Sequence, residues 1–324
     1  MKTTLCKFIE KINTASGFQG EVRYDEPMAA HTTFRAGGPA DCWVRPRREG
    51  FPEYASALLG AARSGGVPVF ILGAGANIVV ADRGIRGVVL DTGGWTGFFP
   101  GGLGERERTC GSMEPPNVFF LAGTPVDAAL EAAAEAGLSG LEFLAGMPGS
   151  IGGAVWMNAR CYGRSIADCL TAAEILDETG NRIAVPCAPE DFSYKKSPFQ
   201  ERDVLILGAR FVLSGGRTEA IRGEMAAHRQ DREAKGHYRF PSAGSVFKNN
   251  RAWGKPTGRI IDELGLRGLS LGGAAVAEWH GNIIINRGNA CAGDIRALTD
   301  TVAARVRAAL GITLEPEIRF VGEW

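Results

Sequence analysis

No stretch of this 324-residue chain is apolar for the roughly 20 residues that a membrane-spanning helix needs. Charge of a prevailing sign is missing too: 36 Lys and Arg residues face 36 Asp and Glu, so nothing favours a nucleic-acid partner. The beginning, Met1-Lys2-Thr3-Thr4-Leu5-Cys6-Lys7, carries charge too early and too often for a secretory signal. Seven cysteines are an odd number, and none forms a Cys-x-x-Cys pair. That speaks for free thiols in a reducing compartment and against structural zinc. The four histidines lack metal-ligand spacing, and no internal repeat is visible. A cytoplasmic, metal-free protein is expected; composition does not show the oligomeric state, and the expected monomer with small-molecule partners does not rest on it.

Glycine, by contrast, is abundant at 45 residues, which suits tight turns and loops that approach a ligand closely. A chain of this length can bury a large core and favours two or three small domains. Ala and Leu recur at helical spacing over 51–63. Residues 126–136 form a clearer helix, with Thr124-Pro125 as a start and Gly137 as a stop. Further helices are expected over 217–235, 257–264 and about 292–310, and short strands at 67–70, 87–90, 204–207 and 282–286. Residues 91–117, rich in glycine, proline and charge, read as loops.

Four segments carry candidate chemistry. Pro241-Ser242-Ala243-Gly244-Ser245-Val246-Phe247-Lys248-Asn249 places Ser245 after a glycine, in apolar surroundings, with a cation and an amide beyond it. A serine without an adjacent base is a poor nucleophile. Its hydroxyl can still hand a proton to carbon if the oxygen left behind is stabilised, and Lys248 and backbone N–H groups are at hand for that. The same residues are also ordinary turn chemistry. Gly73-Ala74-Gly75-Ala76-Asn77 lies between two strand patterns and is not a dinucleotide fingerprint, which needs a third glycine and a following helix. It reads as a phosphate-facing loop or as a glycine-rich strand turn. Gly146-Met147-Pro148-Gly149-Ser150-Ile151-Gly152-Gly153 should expose many unpaired amides, which a pyrophosphate could satisfy. Leu314-Glu315-Pro316-Glu317 sets two carboxylates at the entry to an apolar strand, a usual place for exposed charge.

Together, and in this order, these segments resemble the UDP-N-acetylenolpyruvoylglucosamine reductase (MurB) family. The set GAGAN, GMPGSIGGAVWMNA, FSYKKSPF, PSAGSVFKN, GRIIDELGLRG, GGAAV and LEPEIRFVG carries the resemblance, which runs from His31 to Gly322. No long insertion separates Tyr194 from Ser245, so the chain looks like the short, second subtype. The resemblance implies an α+β fold. Two FAD-binding subdomains of the vanillyl-alcohol-oxidase (PCMH) type would cover 1–93 and 94–224, and a C-terminal α+β substrate domain 225–324. It implies non-covalent FAD, NADPH as co-substrate, and reduction of UDP-N-acetylglucosamine enolpyruvate to UDP-N-acetylmuramate for peptidoglycan. Carried over position by position, Gly73, Ala74, Gly75, Ala76, Asn77, Gly123, Thr124, Gly146, Pro148, Gly149, Ser150, Gly152, Gly153, Asn158 and Ala159 would hold FAD. Ser245 matches the proton donor and Glu317 a catalytic carboxylate. Tyr194, Asn249 and His280 match substrate contacts.

The chain departs from that pattern in four places. Lys195 stands where the family has a catalytic arginine, which keeps the charge and loses the bidentate fork. Ala76 replaces a serine, Arg160-Cys161 replaces small residues before Tyr162-Gly163, and Asn250 replaces a proline. Two other classes stay open: a flavin oxidase of the same fold, and a non-catalytic flavin or nucleotide-sugar binder.

Overall fold

The computed structural model describes residues 2–101 and 117–324. The loop expected over 91–117 lies mostly outside them. Its described part holds a 3-10 turn, Thr92–Gly94, and a short strand, Phe98–Pro100. Two units divide the chain: Met1–Arg23, Trp43–Ala74 and Val89–Gln230 form the first, and Tyr24–Cys42, Gly75–Val88 and Asp231–Trp324 the second. Helices and strands are mixed throughout, as the α+β expectation requires. One four-stranded sheet runs in the order Gly20–Pro27, Pro39–Pro46, Ile85–Asp91, Val69–Leu72.

The first unit contains a five-stranded antiparallel sheet in the order Arg182–Pro186, Leu170–Leu176, Leu205–Val212, Asn117–Leu121, Phe98–Pro100. Its central strand, Leu205–Val212, is buried along most of its length. Aromatic side chains fill one face, where Phe120 packs against both Phe98 and Phe211. The short helix Ile151–Trp156 lies on that central strand, which fixes the glycine loop leading into it. The helix Val126–Glu135 buries Val126, Ala129, Leu130 and Ala133, the i, i+3, i+4, i+7 stripe of an amphipathic element.

The second unit is built around the helix Ala292–Leu310, whose Ile295, Leu298, Val302 and Val306 are buried. It packs against a three-stranded sheet in the order Ser270–Leu271, Ala274–Val276, Ile284–Asn286. Phe34, Val246, Phe247, Ile260, Ile261 and Ile284 share its core. The strand Arg319–Val321 pairs in parallel with Ile78–Val80. The two motifs nearest these strands, GAGAN and LEPE, are thereby brought side by side.

Candidate active site

Four segments distant in sequence meet in the second unit. The chain turns at Gly244, φ +72°, and Ser245 then pairs with Ile283 in an antiparallel bridge. The Val246 carbonyl accepts from the amides of Glu317 at 2.7 Å and Ile318 at 3.4 Å. Phe247 pairs with Pro316, and the Lys248 amide donates to the Glu315 carbonyl at 2.9 Å. Val246 and Phe247 are buried, so this pairing is anchored by the core. Asn77 Nδ2 donates to the Glu317 carbonyl at 3.0 Å, and the Arg319 amide to the Asn77 carbonyl at 2.9 Å. One hydrogen-bonded cluster therefore joins Asn77, the serine segment and Glu317.

Asn282 completes it. Its Oδ1 accepts from the Phe247 amide at 2.9 Å, its Nδ2 donates to the Phe247 carbonyl at 2.7 Å, and its own carbonyl accepts from the Val246 amide at 2.9 Å. The Asn282 amide donates to His280 Nδ1 at 3.1 Å. This assigns the proton of the neutral ring to Nε2. Burial above all, with the charges of Arg267 and Lys235, holds the His280 pKa below its ordinary value. The His237 ring lies 6.1 Å away and is pushed down to about 4, by burial first and then by Arg232, His280 and Lys235. Gly75 is required where it stands: φ is +63°, and a Cβ there would lie 2.0 Å from the His31 carbonyl oxygen.

In the first unit the glycine loop is tied down more than its composition suggests. The Gly146 amide donates to Asp127 Oδ1 at 2.9 Å and the Met147 amide to the Leu144 carbonyl at 2.9 Å. Ile151 donates to the Thr124 carbonyl and Gly152 to the Ala122 carbonyl, at 2.9 and 2.8 Å. Gly153 donates to Ser150 Oγ at 3.4 Å, the N-cap of Ile151–Trp156. Among the described residues, the Gly149 and Ser150 amides donate to no protein acceptor. Ser150 Oγ lies only 2.7 Å from where a Cβ on Gly73 would sit. Gly123 packs closer still, its Cβ position being 1.8 Å from the Thr92 carbonyl oxygen. Asn158 has φ +43° and is 4% exposed; its Nδ2 donates to the Ser193 carbonyl at 2.8 Å, and its buried Oδ1 has no partner. A buried acceptor of that kind costs about 1–3 kcal/mol unless a ligand or water satisfies it.

A family model described as "UDP-N-acetylenolpyruvoylglucosamine reductase, C-terminal domain" matches residues 236–321. The UDP-N-acetylenolpyruvoylglucosamine reductase of Treponema denticola is 39% identical, covering 96% of this chain and 97% of that protein. That of Borreliella burgdorferi is 36% identical over 99% of each. The chain belongs to the UDP-N-acetylenolpyruvoylglucosamine reductase family. The crystal structure of the Thermus caldophilus reductase (MurB) superposes with a TM-score of 0.71 at 31% identity, covering 94% of this chain and 99% of that one. The α+β fold expected from the motifs is the fold of that reductase.

Within this reductase-family chain, the second unit brings Ser245, Glu317 and Asn77 together directly, and His280 through Asn282. The first unit groups Gly73, Gly123, Thr124, Ser150, Gly152 and Asn158 around one loop and its helix. Pro148 and Ala74 are exposed, Gly146 is buried, and Ala159 is buried with its amide donating to the Ala154 carbonyl at 2.8 Å. Lys195 is half-buried, whereas its neighbours Tyr194 and Lys196 are exposed. Asn249 is exposed, and its Oδ1 accepts the Thr257 amide at 2.8 Å at the start of the helix Thr257–Glu263. Two expectations change. The Lys248 ammonium, read as available to Ser245, is ion-paired with Glu315. The glycine loop offers two open amides in place of many, because its helix and the neighbouring chain take the rest. Asn282 and Gln200 were not read from the sequence. For Asn282 the signal was there: an amide in the inward phase of the apolar run Ile283-Ile284-Ile285 must find buried partners.

Proposed function

We propose that this chain reduces UDP-N-acetylenolpyruvoylglucosamine to UDP-N-acetylmuramate, with NADPH as electron donor and FAD as carrier, in peptidoglycan precursor synthesis. One observation carries the reading: Val246 and Asn77 lock the backbones of Ser245 and Glu317 into one rigid, core-anchored cluster. A proton donor and a carboxylate that act on the same small substrate need that rigidity.

The residues suit the cofactor. The open Gly149 and Ser150 amides supply donors for pyrophosphate oxygens. The orphaned Asn158 Oδ1 supplies an acceptor for a ring N–H. Gly73, Gly123 and Gly152 let the loop pack against Ser150, Thr92 and Ala122, Thr124, Gly153 and Ala159 complete it, and Gly75, Ala76 and Asn77 form a second glycine loop suited to the same group. When bound, FAD supplies hydride transfer from NADPH and onward to the enol ether.

This chain's own side chains do the remaining work. As the distal carbon gains hydride, charge collects on the carboxylate-bearing carbon. The Lys195 ammonium offers a counter-charge for it, and Glu317, as the neutral acid, a hydrogen-bond donor. Ser245 Oγ–H then gives its proton to the carbon. Tyr194, Asn249 and His280 orient the substrate, His280 as a donor through Nε2–H. Cofactor released from the purified protein by acid and separated by chromatography tests the reading: FAD is expected, and FMN or no flavin contradicts it.

A further inference from the structure

The turn that carries Tyr194 and Lys195 is held by two side-chain amides of the first unit. Ser193 and Lys196 close the turn with main-chain hydrogen bonds of 3.2 and 3.1 Å. Between them Lys195 has φ +60°, a left-handed conformation that residues other than glycine seldom adopt. Such a conformation persists only where the surroundings impose it. Gln200 Nε2 donates to the Lys195 carbonyl at 3.0 Å and to the Trp156 carbonyl at 2.7 Å, using both hydrogens of its amide. Ser197 Oγ donates to the same Trp156 carbonyl at 2.7 Å, which satisfies that oxygen twice. On the other side Asn158 Nδ2 holds the Ser193 carbonyl at 2.8 Å.

We propose that Gln200 is a positioning residue for Lys195. By gripping the Lys195 carbonyl and tying it to the end of the helix Ile151–Trp156, it fixes the peptide plane that sets the direction of the lysine stem. The direction matters more here than for an arginine. A lysine ammonium is a single point of charge on four rotatable bonds, without a fork that locks onto a carboxylate by its own geometry. A stem that leaves the turn at another angle keeps the ammonium in place for only part of the time, and small misplacements slow a positioned reaction strongly. Gln200 neither donates the reaction's proton nor receives charge. Its effect passes through Lys195. The inference rests on the reading of Lys195 as the substrate's cation.

Gln200→Met keeps the size of the side chain and removes both donors; Gln200→Glu keeps the shape and sets acceptors against two carbonyls. Each variant, purified with its flavin, is mixed without oxygen first with NADPH and then with the enolpyruvyl substrate. The expected result is unchanged flavin reduction and an enolpyruvyl step slower by about tenfold to a hundredfold. Lys195→Ala is measured beside them, and the double variant Lys195→Ala/Gln200→Met should be no slower than Lys195→Ala alone. Equal slowing of both steps by Gln200→Met, no slowing of either, or a loss that multiplies with that of Lys195→Ala overturns the proposal. A damaged Lys195→Ala beside an unimpaired Gln200→Met overturns it alone. An unimpaired Lys195→Ala removes the role of Lys195 as well. If Gln200→Glu does not fold, Gln200→Met decides.

Discussion

Ser245 stands between a left-handed glycine and two core residues, so its backbone is fixed while its side chain is only half-buried. Ser245→Ala should therefore fold normally and accept electrons from NADPH at the native rate. The enolpyruvyl step should fall by roughly a hundredfold to ten-thousandfold, the usual worth of a positioned proton donor. Anaerobic half-reaction kinetics check this, and equal slowing of both steps would make Ser245 a turn residue. His237 gives a second prediction at the same scale. Its folded pKa, about 4, lies below its ordinary 6.5, so the unfolded chain binds more protons between those values. The stability it contributes is full above pH 6.5 and is lost as the pH falls toward 4. Asp231, Arg232, Lys235 and His280 face it, and His280 is depressed in the same direction. The melting temperature should decline across that window, and less steeply in His237→Gln. Only the chemical type of these residues was legible in the sequence. That Lys248 pairs with Glu315 depends on a backbone pairing between residues 67 positions apart, which no local pattern reveals.

Elements with their own signals were legible to within a residue or two. The helix Ala292–Leu310 has Asp294 in its first turn and Gly311 in the left-handed conformation at its end, and the pattern alone locates both limits. The charges at the start, which argue against a signal peptide, sit on the helix Lys2–Ser16, where Leu5, Phe8, Ile9 and Ile12 fall on one face and Ile9 and Ile12 are buried. Strands were legible as cores but not in their limits: the run expected at 282–286 is ladder-paired only over Ile284–Asn286, because Asn282 serves as a clamp. A cap supplied from another segment was not legible. Asp82 accepts the amides of Ala292 and Gly293, each at 2.8 Å, at the start of the central helix of the second unit. Asp82→Ala should cost about 1–2 kcal/mol in denaturant unfolding, the worth of a helix N-cap with its charge at the positive end of the dipole. Gly75→Ala should do more: its Cβ would collide with the His31 carbonyl oxygen, so the loop must shift. Weaker retention of FAD on gel filtration is the expected outcome, and native flavin content in that variant would separate this loop from the cofactor.

For the whole molecule, order was the signal. Each motif alone was compatible with a turn, a strand entry or a glycine bend. The series from GAGAN to LEPE is specific because its members come together in the folded units, and family membership follows from full-length relatives at 36–39% identity. The sequence carried no sign of how much of the glycine loop was already hydrogen-bonded, since amide partners depend on where Ala122, Thr124 and Asp127 are placed. In the proposed reaction electrons pass from NADPH through FAD to an enol ether, with Ser245 completing the addition. The most direct measurement is anaerobic: NADPH bleaches the bound flavin, excess NADPH is removed, and UDP-N-acetylenolpyruvoylglucosamine is added. The account predicts that the flavin colour returns in step with a product two hydrogens heavier by mass spectrometry. A flavin that stays bleached with that substrate and recovers its colour only when oxygen is admitted would contradict it.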